Sequence, residues 1–281
     1  MKRHEIAAAC RAAGSDAPEQ EASLLLSELF GVSPTAALLD RERDYSSAAL
    51  YAALARRAQH EPIQYILGRA YFCGETYLLN RDCLIPRPDS ELLVTESAHR
   101  LPPHGRFADL FCGSGCVGIS LAAMRKDASG IGIDLSPGAV TMAVQNAALN
   151  RVADRIRFLC ADISDAPLGT ERFDLITANP PYITDDEMTA LSPEVLREPE
   201  LALRGGKDGL DLFRMMLSRC GGNLTDNGTI LCEIGWKQGK SAASAAEHAG
   251  FSCTILPDLE GRDRIAVLRK EASLPHRQHI L

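Results

Sequence analysis

Four short stretches carry side chains that could do chemistry together. The first is Asp109-Leu110-Phe111-Cys112-Gly113-Ser114-Gly115-Cys116-Val117-Gly118, where Gly113, Gly115 and Gly118 give a G-x-G-x-x-G spacing. Such a turn lets the backbone pass close to a ligand in front of a helix N-terminus. Alone it fits a dinucleotide site or a tight structural turn. Asp134 ends an apolar run about 20 residues on, where a carboxylate can accept both hydroxyls of a ribose, an arrangement that also fits NAD. Asp162 ends the next run, where its carboxylate or the neighbouring backbone can hydrogen-bond an adenine edge. Asp109 reads as the group that orders the turn. The fourth stretch is Asn179-Pro180-Pro181-Tyr182. Its two prolines remove two backbone donors and fix φ, leaving carbonyl acceptors. A planar NH₂ group could donate one hydrogen to Asn179 Oδ1 and the other to the Pro180 carbonyl while stacking on Tyr182. That is a clamp for an amide or amino nitrogen; a proline-capped strand end is the bland alternative.

These stretches need a scaffold that brings them to one edge. Strands are expected at 107–111, 131–134, 156–160, 173–178 and 229–234, with helices at 116–124, 137–149, 210–220 and 242–249 between or after them. Repeated βα units imply a parallel sheet covered by helices on both faces, with ligands at the carboxyl ends of the strands. Two final strands, near 251–256 and 264–268, are joined too briefly for a crossover and must be antiparallel. Residues 1–69 read instead as a bundle of small helices: Pro18 and Ser33-Pro34 mark helix starts, Gly31 a stop, and Ser46 or Ser47 a further cap. A hairpin is expected within 71–84, and Ile85-Pro86-Arg87-Pro88-Asp89 reads as a stiff connector. The resulting division is 1–69 helical domain, 70–90 hairpin and connector, and 91–281 catalytic domain.

Composition narrows the function. The 281 residues are 46% hydrophobic and 24% charged, as expected of a globular chain with a sizeable core. The formal net charge is −7, and residues 1–69 hold 8 Lys+Arg against 9 Asp+Glu, so no electrostatic footprint for stable nucleic-acid binding is evident. No apolar run of about 18 residues suggests a membrane span. The nine cysteines contain no Cys-x-x-Cys pair, so reduced, mostly buried thiols in a cytoplasmic protein are expected, with no metal site. His60, His99 and His104 fall outside any ligand spacing. Trp236 is expected to pack beneath the fifth strand.

The order Asp-x-x-x-Gly-x-Gly, strand-end acid, then Asn-Pro-Pro-Tyr resembles class I S-adenosylmethionine (SAM) methyltransferases that modify planar nitrogens. Over nearly the whole chain the sequence is similar to the bacterial release-factor glutamine methyltransferases, the HemK/PrmC family. The resemblance runs through Glu61-Pro62-Ile63-Gln64-Tyr65-Ile66-Leu67-Gly68, Leu84-Ile85-Pro86-Arg87-Pro88, Asn179-Pro180-Pro181-Tyr182-Ile183, Glu198-Pro199 and Gly205-Gly206. It continues in Asp208-Gly209-Leu210, Glu233-Ile234-Gly235-Trp236, Gln238-Gly239, Asp258-Leu259 and Gly261-Arg262-Asp263-Arg264. It implies a Rossmann-like α/β fold with a mostly parallel seven-stranded sheet, an antiparallel last strand and a small N-terminal helical bundle.

The resemblance also implies an activity: methyl transfer from SAM, leaving S-adenosylhomocysteine, to the side-chain nitrogen of the glutamine in the Gly-Gly-Gln motif of class I peptide-chain release factors. By position the cofactor loop would be Phe111, Cys112, Gly113, Ser114 and Gly115. Asp134 would hold the ribose, Asp162 and Ile163 would flank the adenine, and Asn179 would lie near the methionine part. Asn179, Pro180, Pro181 and Tyr182 would bind the glutamine amide, and the helical domain with the loop around Arg87 would help dock the protein substrate. Three positions depart from the family pattern. Phe111-Cys112 stands where Gly-Thr is frequent, Pro88-Asp89-Ser90-Glu91 where Pro-Glu-Thr-Glu is usual, and Ile163 where Trp is frequent. Catalysis would rest on aligning the nitrogen about 3–3.5 Å from the methyl, with neither a covalent nucleophile nor a metal. An adenine-N6 methyltransferase on DNA or RNA could use the same clamp, and a SAM-binding scaffold without turnover is the non-enzymatic alternative.

Overall fold

The computed structural model describes residues 1–165 and 167–270. The chain opens with α1 (Arg3–Ala12), α2 (Pro18–Phe30), α3 (Pro34–Leu39), α4 (Ala48–Arg57) and α5 (Ile63–Leu67). The starts are set where the sequence marks them. Pro18 and Pro34 occupy first-turn positions, and the Ser33 and Ser47 hydroxyls accept from the N–H groups of Ala36 and Leu50. Gly31 closes α2 in the left-handed region. These helices bury a cluster of their own around Ile6, Leu25, Leu26, Leu50 and Ile63.

A hairpin follows, β1 (Arg69–Phe72) and β2 (Glu75–Leu78). It turns at Cys73-Gly74, both with positive φ, the geometry that matches the twist of paired strands. Asn80-Arg81-Asp82 is not part of a strand; there Asp82 N–H donates back to Asn80 Oδ1 (2.9 Å). The hairpin is therefore shorter than the expected 71–84.

The remainder is α6 (Glu91–Arg100), β3 (Arg106–Leu110), α7 (Cys116–Met124), β4 (Ser129–Asp134), α8 (Pro137–Leu149), β5 (Ile156–Cys160), β6 (Phe173–Ala178), β7 (Ile183–Thr184), α9 (Asp185–Met188), β8 (Arg204–Gly206), α10 (Asp211–Cys220), β9 (Leu224–Glu233), α11 (Gly239–His248), β10 (Phe251–Pro257) and β11 (Asp263–Lys270). The seven-stranded sheet has the order β10-β11-β9-β6-β3-β4-β5. The pairs β3/β4, β3/β6, β4/β5 and β6/β9 are parallel, whereas β11 runs antiparallel to both β9 and β10. Alternate residues serve opposite faces: Ala108, Ile176 and Ile230 pack against α10 and α11, and Phe107, Leu175 and Leu231 against α6, α7 and the hairpin. No helix among the described residues is long and apolar enough to cross a membrane.

Buried polar groups tie these layers together. Arg57, 1% exposed, donates to both Glu21 oxygens (2.9 and 3.1 Å) and to Glu194 Oε2 (2.7 Å), which lies beyond α9. Arg197 adds a bond to the Gln59 carbonyl (2.8 Å), so the helical cluster is joined to the segment before β8. Asp109, on β3, accepts from Gly118 N–H (2.9 Å) and the Thr177 hydroxyl (2.8 Å), fastening α7 and β6 to one carboxyl group. Burial raises Asp109 to about 7, against the pull of both donors.

Two outcomes follow from these groups. Arg57→Ala leaves two carboxylates without their cation and should lower unfolding free energy by about 3–5 kcal/mol in urea titrations; a loss below about 1 kcal/mol would contradict the bridge. Because the folded carboxyl of Asp109 titrates above its unfolded value, its contribution to stability is complete at acid pH. That contribution is lost as pH rises from the ordinary carboxylate range toward 7. The unfolding free energy of Asp109→Asn should therefore gain on wild type from about pH 5 to about pH 7.5; parallel curves would exclude a neutral Asp109.

Candidate functional site

Strand β3 has β4 on one side and β6 on the other, so the chain reverses its direction of travel across the sheet there. Such a reversal leaves a crevice at the carboxyl ends of the strands. A cavity of about 390 Å³ occupies that crevice. Its floor is formed by Phe111, Cys112, Gly113 and Ser114 after β3, Asp134 to Ser136 at the end of β4, Asp162 to Ser164 after β5, and Asn179 and Pro181 after β6. Leu84, Pro86, Arg87 and Ser90 from the connector close one side, and Pro199, Leu201, Ala202, Leu212 and Met215 the other.

The structure thus gathers Phe111, Cys112, Gly113, Ser114, Asp134, Asp162, Ile163, Asn179 and Pro181 around one space. Gly115, Pro180 and Tyr182 stand outside its lining. Gly115 begins α7 with φ 80°, and a Cβ there would lie 2.8 Å from Ile119 Cδ1 and 3.0 Å from Ala143 Cβ, so a side chain has neither the conformation nor the room. Phe111 also has a positive φ, 58°, a conformation costly for an aromatic residue and comfortable for glycine. Its side chain packs against the core cluster that α10 and α11 share with the sheet.

The strand-end acids hold the backbone around the cavity. Asp134 accepts from Gly113 N–H (2.8 Å) and Ser136 N–H (2.9 Å), pinning the glycine turn to the end of β4. Burial holds its carboxyl above the usual range, against those two bonds. A carboxylate has about four lone-pair directions, so acceptor capacity remains for further hydroxyls. Asp162 accepts from Ser164 N–H (2.7 Å), and this bond holds its carboxyl below the ordinary range. Asn146, buried in α8, donates to the Ser114 carbonyl (2.9 Å) and exchanges two bonds with Leu78 of the hairpin (2.7 and 3.0 Å). Ser114 Oγ is buried without a nitrogen or oxygen partner among the described residues. Burial drives the Cys112 thiol well above its ordinary value, the behaviour of a packed thiol.

At the end of β6 the Asn179 side chain donates from Nδ2 to Ser90 Oγ (3.2 Å), its one hydrogen bond among the described residues. The Tyr182 hydroxyl donates to Glu233 Oε1 (3.3 Å), and the Tyr182 carbonyl accepts from Gln238 Nε2 (2.9 Å). Gly205 passes so close that a Cβ would lie 2.7 Å from both the Pro181 carbonyl oxygen and Tyr182 Cα. Glu198, buried, accepts from Ile85 N–H (3.0 Å) and pairs with Arg87, which seats the connector over the cavity. Glu233 and Gln238 enter the sequence reading only within motifs that carry the family resemblance, and Ser90 only within a departure from it; none is given a role in the site there. Trp236 is 53% exposed, with Lys237 and Arg262 over its ring, and not packed beneath β9; the turn closed by Gln238 Oε1 on Gly235 N–H (2.8 Å) carries it outward.

Comparison with known proteins accounts for both parts of the chain. A family model described as PrmC N-terminal domain matches residues 3–68, and one described as methyltransferase domain matches residues 107–198. A release factor glutamine methyltransferase of Cereibacter sphaeroides is 41% identical over 267 residues, 93% of this chain and 95% of its own length. One of Rhodospirillum rubrum is 39% identical over 271 residues, 94% of this chain and 83% of its own. Among solved structures, a ribosomal protein L11 methylase from Lactobacillus delbrueckii subsp. bulgaricus superposes with TM-score 0.50 at 19% identity, covering 69% of this chain and 84% of that one. That likeness concerns the fold alone; with the two family models it makes this a class I methyltransferase fold preceded by a helical domain. By its identity to these relatives across nearly its full length, the chain is a member of the release factor glutamine methyltransferase family.

Proposed function

We propose that this methyltransferase moves a methyl group from SAM to the side-chain amide nitrogen of the glutamine in the Gly-Gly-Gln motif of class I release factors. The observation that carries the reading is that Asn179 shares one cavity with Asp134, Asp162 and the glycine turn, its Oδ1 accepting from no described residue. The residues present suit the cofactor. The cavity is mostly apolar with a few polar groups, Ser114 Oγ is buried without a nitrogen or oxygen partner in its wall, and Asp134 keeps acceptor capacity. Asp134 would hold the ribose, Phe111 to Gly115 would cradle the amino-acid part with Asn179, and Asp162 with Ile163 would flank the adenine. When bound, SAM supplies a methyl on a cationic sulfur, which needs no further activation from the protein.

The chain's task is then to orient a poor nucleophile. An amide lone pair is delocalised into its carbonyl. Acceptance of its two hydrogens by Asn179 Oδ1 and the Pro180 carbonyl would return electron density to nitrogen and fix its direction. The nitrogen gains the methyl and releases one proton to solvent, ending as a secondary amide. The prolines suit this role because neither can offer an N–H that would compete for those acceptors. The helical domain, joined to the segment before β8 through Arg57 and Glu194, would dock the protein substrate over the cavity. An adenine amino group fits the same pair of acceptors. Yet two members of the one modest basic cluster in the helical domain, Arg56 and Arg57, are paired with Glu61, Glu21 and Glu194, which counts against a phosphate-binding face there.

The test offers methyl-labelled SAM and purified enzyme to a class I release factor or to adenine-containing duplex DNA, with the modified site located by mass spectrometry. Label on the Gly-Gly-Gln glutamine is expected; label in adenine would overturn the substrate and keep the clamp. Asn179→Ala should reduce turnover by about 10²-fold or more while the fold stays intact, by analogy with the loss of one oriented hydrogen-bonding group in other active sites. Wild-type turnover in that variant would remove the clamp. Asp134→Ala should weaken SAM binding by about 10- to 100-fold in calorimetry, the worth of hydrogen bonds to a charged group; unchanged affinity would refute its ribose role.

A further inference from the structure

The side chain of Asn179 could in principle turn either end toward the cavity, and only the oxygen end can accept from a substrate amide. What sets the choice lies outside the four-residue motif. Glu233, the last residue of β9, is 1% exposed, and both its oxygens are occupied. Oε2 accepts from Ser90 Oγ at 2.6 Å and Oε1 from the Tyr182 hydroxyl at 3.3 Å. Ser90, 2% exposed, ends the turn Pro88–Ser90 that seats the connector at the start of α6. Its hydroxyl also meets Asn179 Nδ2 at 3.2 Å.

The polarity of this chain follows from donor counting. A serine hydroxyl has one proton, and a carboxylate has none. With that proton on the bond to Glu233, Ser90 has only lone pairs left for Asn179. The carboxamide must therefore present its NH₂ to Ser90; the flipped amide would set two acceptor oxygens against each other in a buried site. The Asn179 oxygen is left for the cavity. We infer that Ser90 and Glu233 are positioning residues for the methyl transfer: the buried carboxylate takes the only proton of Ser90 and so turns the oxygen of Asn179 toward the substrate. The same carboxylate grips the Tyr182 hydroxyl, so one group on β9 fixes both ends of the segment that follows β6. The role rests on the reading that Asn179 receives the substrate amide.

Three variants of the full chain test it: Ser90→Ala, Ser90→Thr and Glu233→Gln. Ser90→Ala frees the carboxamide to rotate and should lower kcat by roughly 10²-fold, the scale of a lost orientation, with the KM for SAM little changed. Ser90→Thr keeps the hydroxyl and should restore most of that loss. Glu233→Gln can offer an NH₂ to Ser90, which permits the reversed polarity, and should lower kcat as well. Wild-type kcat in Ser90→Ala, or failure of threonine to rescue it, would overturn the proposal. Full activity in Glu233→Gln would overturn the carboxylate's part.

A second readout needs no substrate. In ¹⁵N spectra of the wild-type protein, the Asn179 side-chain amide should show one slowly exchanging, hydrogen-bonded proton. That signature should vanish in Ser90→Ala and persist in Ser90→Thr. Its absence in wild type contradicts the inference whatever the enzyme methylates. Its presence in a chain that leaves the release factor unmodified would instead overturn the substrate reading.

Discussion

The reversal of the chain's path at β3 is the constraint on which the rest depends. Once β4 and β5 are laid to one side and β6 and β9 to the other, no crossover can run over the carboxyl ends of β3 and β6, and a crevice opens there. Most groups on the cavity floor come from the last residue of a strand or the first few beyond it, where the backbone is released from the ladder and its amides and carbonyls become available. The connector and the segment around Pro199 close the remaining sides because Glu198 holds Ile85 and Arg87. Loops over an open crevice would be free to move; a buried carboxylate between them gives one arrangement.

That device recurs. Asp109 joins β3, α7 and β6; Asp134 joins the glycine turn to the end of β4; Glu198 joins the connector to the segment before β8; Glu233 joins β9, the connector and Tyr182. Each is costly to bury, which is why Asp109, Asp134 and Glu233 all sit above the usual carboxylate range. In return each satisfies donors from segments far apart in sequence, and a misplaced segment would leave those donors unpaired in the interior. Arg57 extends the same logic to the helical domain, whose seating is thereby tied to the wall of the cavity. Stability is given up for a defined site, a common arrangement in enzymes.

Much of this was legible from local pattern. Apolar runs ending in Asp134, Asp162 and Asn179 marked strand ends; the Ser-Pro pair at 33–34 marked a helix start that carries the expected cap. These signals act over a few residues and need no partner. What was not legible depended on partners far away. Ser90 and Glu233 are separated by 143 residues, and neither has a local reason to be polar and buried. The hairpin turns at Cys73-Gly74: Gly74 was one of the two places where the sequence suggested a turn, whereas the positive φ of Cys73 is not advertised by its type. Trp236 read as core by its type, whereas the Gln238 side chain closes a turn that carries the ring out to solvent. The left-handed Phe111 was equally hidden, since a bulky residue gives no hint that its backbone is strained.

The claim that one cavity joins a methyl donor to a glutamine amide is tested most directly by a crystal structure of the chain with S-adenosylhomocysteine and a peptide containing Gly-Gly-Gln. The glutamine nitrogen should lie within hydrogen-bond distance of both Asn179 Oδ1 and the Pro180 carbonyl, facing the sulfur, with the ribose on Asp134. A peptide bound away from Asn179, or a ribose held by other residues, would contradict it.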